Sequence, residues 1–62
     1  MKAWELIRLL ENAGWHEVRQ SGSYKIFQHP NFTFNIIVPE HGNKDLGKGL
    51  VMKILKQAGL RK

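Results

Sequence analysis

Sixty-two residues with no cysteine, and ten Lys or Arg against five Asp or Glu for a net charge of +5, describe a small basic chain. Such a chain buries only about 60% of the surface its unfolded form exposes, so we expect a single domain, residues 1–62, with one compact core. Disulfides and thiolate metal sites are excluded, Ile36-Ile37-Val38 is too short a run to span a membrane, and Glu5 and Arg8 interrupt any apolar leader after Met1; a soluble cytoplasmic protein with a polyanionic partner is expected.

The spacing predicts a helix over Trp4–Ala13. Ala3, Leu6, Ile7, Leu10 and Gly14 recur at three- and four-residue steps and share a face. Glu5 suits the dipole of the first turn, but Lys2 and Ala3 offer no side-chain oxygen for an N-cap. Gly14 can adopt a left-handed conformation and return Trp15 onto Leu10. A weak strand, Trp15–Gln20, follows. Ser21-Gly22-Ser23 is turn chemistry, with Gly22 able to supply a positive φ.

The second strand, Tyr24–His29, points Tyr24, Ile26 and Gln28 one way and Lys25, Phe27 and His29 the other. Pro30-Asn31 marks a turn. Phe32–Val38 alternates, with Phe32, Phe34, Ile36 and Val38 on one face, and Pro39 ends it. After a polar loop, Glu40–Asp45, a second helix starts near Leu46 or Gly47 with Asp45 or Asn43 as N-cap. Its apolar face is Leu50, Val51, Ile54, Leu55 and Ala58, and Gly59 stops it so that Leu60 returns onto Leu55.

The resulting class is α+β, in the order α-β-β-β-α. The connections are too short for parallel crossovers, so the sheet is antiparallel, and both helices must share one of its faces. The other face is left to solvent or to a partner. The same element order occurs in double-stranded-RNA-binding domains.

Several strings go further. Gly14-Trp15 followed by Val18-Arg19-Gln20-Ser21-Gly22-Ser23, then Gln28-His29-Pro30, Ile37-Val38-Pro39-Glu40-His41-Gly42 and Ile54-Leu55-Lys56-Gln57-Ala58-Gly59-Leu60 together resemble the HicA toxins of HicA–HicB toxin–antitoxin pairs. The resemblance covers essentially the whole chain. It implies a metal-independent endoribonuclease that cleaves mRNA, and a HicB-type antitoxin that covers its active site. The family motif is Gly-Ser-His at the start of the second strand, with the histidine catalytic. Here Gly22 and Ser23 match and Tyr24 stands at the histidine position. Tyr24 is either the natural residue of a weakened or repurposed homologue or an introduced substitution.

The difference is chemical. Attack of a ribose 2′-OH on the neighbouring phosphorus needs a base and an acid. Imidazole, with an ordinary pKa of about 6.5, offers both forms at neutral pH, whereas a phenol near 10 is a poor base. Tyr24 is therefore the candidate catalytic position. Candidate RNA contacts are Gly22 and Ser23 at the turn, Arg19, Lys25, Lys44 and Lys48 as phosphate ligands, and His41 in the loop after Pro39. His29 is a weaker acid–base candidate, since it faces away from Tyr24 on a regular strand. His16, His29 and His41 are too far apart for a local metal motif, so neither metal nor cofactor is expected. Gly47-Lys48-Gly49 lacks the context of a phosphate loop. Three functions stay open: an endoribonuclease toxin, a non-catalytic RNA-binding module, and an interaction module for an acidic, antitoxin-like partner. The family strings favour the first.

Overall fold

A computed structural model describes residues 1–40, 42 and 44–61. Its elements are α1 (Ala3–Asn12), β1 (His16–Ser21), β2 (Tyr24–Gln28), β3 (Ile36–Pro39) and α2 (Lys48–Gln57), the expected order and class. The three strands form one antiparallel sheet in the order β1-β2-β3. Among the described residues no helix is long and apolar enough to cross a membrane.

Strand parity decides which side chains meet the helices. Phe27 is paired with Ile36, and Lys25 with Val38. Phe27, Ile36 and Val38 are buried together with Ala3, Leu6 and Leu10 of α1 and Val51, Ile54 and Ala58 of α2. Both helices thus share one sheet face, as a single small core requires. The opposite face carries Tyr24, Ile26 and Gln28 of β2, Ile37 of β3 and, through the pairs Arg19–Ile26 and Ser21–Tyr24, those two residues of β1. A register shift between Glu17 and Arg19 leaves Val18 as the extra residue, 46% exposed. That bulge is why β1, whose only aliphatic residue is Val18, buries none of its length.

The ends of α1 are built as the sequence suggested. Lys2 has no side-chain acceptor, and only the reciprocal half of a capping box forms: the Lys2 backbone N–H donates to Glu5 Oε1 at 2.8 Å. At the other end Gly14, at φ 98°, lets the Trp15 N–H reach Leu10 O at 3.0 Å and the Gly14 N–H reach Glu11 O at 3.0 Å, a Schellman cap. α2 ends in the same pattern, with the Leu60 N–H on Leu55 O at 2.9 Å and the Gly59 N–H on Lys56 O at 3.1 Å.

Trp15, delivered by its cap, is 1% exposed and is the largest core side chain. Its ring lies 5.2 Å from that of His29, 4.8 Å from Phe32 and 6.0 Å from Phe34. The indole N–H finds no acceptor among the described residues, a cost of about 1–3 kcal/mol that this packing offsets.

Three expectations are corrected, two of them at this cluster. β2 stops at Gln28, because His29 opens a turn with Pro30 second, closed by the Phe32 N–H on His29 O at 3.1 Å. β3 begins at Ile36 and not at Phe32, because Phe32 and Phe34 are drawn out of the alternation to pack on Trp15. The N-cap of α2 is Gly47, because Asp45 is engaged elsewhere: it bridges Lys2 in a short antiparallel pair and meets Lys2 Nζ at 3.5 Å, while the Leu46 N–H donates to Met1 O at 2.8 Å. The alternative cap, Asn43, lies outside the described residues.

His29 fastens the cluster to α1. Its Nε2 lies 3.0 Å from Ala13 O, and the Asn31 N–H donates to its Nδ1 at 3.0 Å. A donor requirement at Nε2 and an acceptor requirement at Nδ1 define the neutral tautomer protonated at Nε2. We expect His29→Ala to lower stability by about 1–3 kcal/mol, since it removes a ring packed on Trp15 and leaves the part-buried Ala13 carbonyl without its partner. Gly14→Ala should cost at least as much, because the added Cβ would lie 2.7 Å from His29 Nε2 at a φ that L-residues avoid. Urea denaturation measures both; midpoints equal to the parent protein's would contradict this role.

Candidate functional site

The turn between β1 and β2 is a two-residue hairpin loop, Gly22-Ser23, closed by the Ser21–Tyr24 pair. Gly22 takes φ 58° and Ser23 does not have positive φ, the pattern of a type II′ turn that matches strand twist. Gln20 Nε2 donates to Gly22 O at 3.1 Å. The Glu40 N–H donates to Ser23 O at 2.7 Å, which ties the loop to the end of β3. Tyr24 follows directly. Its neighbours across the ladder are Ser21 and Pro39, and it is 49% exposed on the face away from the helices.

Chain direction gathers several features at this end of the sheet. The hairpin, Glu40, the Lys2–Asp45 bridge and the N-termini of both helices lie there. Helix N-termini carry positive partial charge, and the first turn of α2 holds no acidic side chain to offset it. Lys48 opens α2 and is exposed, as is Lys44 in the preceding loop. Arg19 is exposed and shares Tyr24's sheet face. His41 lies outside the described residues.

Lys25 goes elsewhere. It sits on the helix side of the sheet, its Nζ 3.7 Å from Glu17 Oε1 and 3.6 Å from Glu40 Oε2. The strand alternation already separates it from Tyr24, so it is not brought together with the other candidates. His29 is likewise removed from the site by its two hydrogen bonds at the far end of the sheet. Among the described residues no group of three or more His, Cys, Asp or Glu could hold a metal ion.

The family model for the HicA toxin of bacterial toxin-antitoxin systems matches residues 3–60. The chain belongs to the HicA toxin family. HicA proteins are the toxins of toxin–antitoxin pairs and are generally mRNA-cleaving endoribonucleases, with RNA as substrate and a HicB-type antitoxin as partner. A search of curated proteins found no match to the chain.

Two neighbours of Tyr24, placed by strand alternation but not singled out as site residues, join it on this face. Ile26 and Ile37 pair directly across β2 and β3 on its face, and Ile37 is 53% exposed. Alternation was the available signal, since Ile37 falls out of phase with the buried Ile36 and Val38.

The hairpin yields a simple check. A Cβ at Gly22 would meet nothing within 4 Å, so any cost of substitution is conformational and not steric. Gly22→Ala should therefore destabilise the protein by about 1–2 kcal/mol, the penalty for a left-handed L-residue. A neutral effect in thermal denaturation would contradict the type II′ assignment.

Proposed function

We propose that this chain is the toxin of a type II toxin–antitoxin pair, built as a metal-independent endoribonuclease acting on mRNA, and that Tyr24 leaves it weakened or inactive. The observation that carries the proposal is the half-exposed phenol at the first position of β2, directly after the Gly22-Ser23 turn. The resemblance assigns the family's catalytic imidazole to that position.

The chemistry is a displacement within the RNA chain. The ribose 2′-OH attacks the adjacent phosphorus, a base removes the hydroxyl proton, and an acid protonates the departing 5′-oxygen. Arg19, Lys44 and Lys48 would hold the phosphate and offset the charge that grows on it. The Gly22-Ser23 backbone would let the strand approach closely, and His41 would enter from the loop that leaves β3. A phenol in the place of imidazole can donate a hydrogen bond or stack on a base, but it accepts the hydroxyl proton poorly at neutral pH. The expected partner is a HicB-type antitoxin that covers this end of the sheet, and the expected compartment is the cytoplasm.

The test is the Tyr24→His variant, incubated beside the parent chain with a structured mRNA in EDTA. Restoring an acid–base group at this position should raise the cleavage rate by about 10²–10⁴-fold. Equal cutting by both proteins would remove Tyr24 from the catalytic position. Salt-dependent binding without cutting by either would make the chain an RNA-binding module. Failure of both to bind RNA, with tight binding of a HicB-type protein, would make it an interaction module.

A further inference from the structure

We propose that the open face of the sheet is a platform for unpaired RNA, so that the toxin engages a single strand laid across β1, β2 and β3. This rests on the RNA reading above and specifies which form of RNA it takes and which residues bind it.

The platform is a strip running across the strands. Arg19 stands on β1 and pairs with Ile26 of β2, which pairs with Ile37 of β3. Tyr24 lies beside Ile26, one pleat along the same face. Beyond the β3 edge a shallow groove of about 200 Å³ continues the strip, lined by Asn35, Ile37, Leu50, Lys53, Ile54 and Gln57. A half-exposed aromatic ring and two isoleucines thus form an apolar floor with a cation at each end. Bases need a flat apolar or aromatic surface and their phosphates need cations, and a duplex hides the base faces that such a floor would bind.

Charge favours RNA as the occupant. All five acidic side chains lie off this face. Glu5 and Glu11 are on α1, and Asp45 is bound to Lys2. Glu17 pairs opposite the buried Phe27 on the helix side, and Glu40, next after Pro39, meets the same Lys25 as Glu17 does. Lys25 sits with these two acids on the side away from the RNA surface. A second copy of this basic chain would bring like charge to the face, and among the described residues an acidic protein would find on the strip only Arg19 and Lys53 to pair with.

Fluorescence anisotropy with a labelled 2′-O-methyl oligouridylate, which cannot be cleaved, tests the platform against a 2′-O-methyl duplex of equal length. The parent chain should prefer the single strand. Ile37→Ser should weaken single-strand binding about tenfold, in line with the loss of one base contact, while lowering the melting temperature only slightly because Ile37 is half exposed and the protein stays folded at the assay temperature. Arg19→Gln and Lys53→Gln should each reduce the slope of log affinity against log salt by about 0.7, while Lys56→Gln, with the same charge change off the strip, should not. Tighter duplex binding, or an Ile37→Ser variant that binds like the parent, overturns the platform and leaves the endoribonuclease reading standing. Absence of RNA binding in every form overturns both. An open face that ignores RNA but is protected from hydrogen exchange by a HicB-type protein assigns the face to protein and overturns the platform.

Discussion

Two amphipathic helices and one three-stranded sheet leave a chain of this size a single way to bury its apolar surface, and every other property follows from it. Both helices pack on Phe27, Ile36 and Val38, so the reverse face of the sheet stays open. Trp15 is the largest side chain between the helices and the sheet. Held by the cap of α1, it fills the end of the core where both helices finish, and His29, Phe32 and Phe34 gather around it. The cost of its unmet indole N–H is tolerable only in so dense a cluster. Structural investment is thus concentrated at one end of the sheet. The hairpin, Tyr24 and the start of α2 lie at the other end, where side chains are exposed and turn chemistry supplies the geometry.

That division separates stability from function more sharply than the sequence suggests. Of the histidines, His29 resembles a catalytic group in type but has both ring nitrogens committed to backbone partners. Of the lysines near the hairpin, Lys25 has the right charge and the wrong face. It pairs with Glu17 and Glu40 behind the sheet, while Arg19 stands in front. As partly exposed pairs these contacts add less than about 1 kcal/mol to stability, so where they leave the carboxylates matters more than what they contribute to folding.

Local physics was readable where it governs the outcome. The Ala-Gly-Trp and Ala-Gly-Leu endings gave both helix caps, and Ser21-Gly22-Ser23 gave the hairpin that positions Tyr24. Long-range competition was not readable. Phe32 and Phe34 satisfy a strand pattern as well as Ile36 and Val38 do, and only the presence of Trp15 in space diverts them. Asp45 is a good N-cap type, and the approach of Met1 and Lys2 from the start of the chain occupies it. The facing of Lys25 was legible from alternation alone, whereas its carboxylate partners come from β1 and from the end of β3, contacts that no local pattern encodes. Ile37 was visible as an out-of-phase aliphatic, but its bearing on RNA emerges only when the open face is assembled.

The central claim is that RNA meets this toxin on the uncovered side of the sheet, beside the hairpin. Backbone amide shifts in a ¹⁵N NMR titration with an uncleavable single strand test it directly. We expect the perturbations at Arg19, Tyr24, Ile26, Ile37 and Lys53, with Leu6, Leu10 and Trp15 unmoved. Shifts confined to the outer surfaces of the two helices, with Tyr24 and Ile37 silent, would contradict the account.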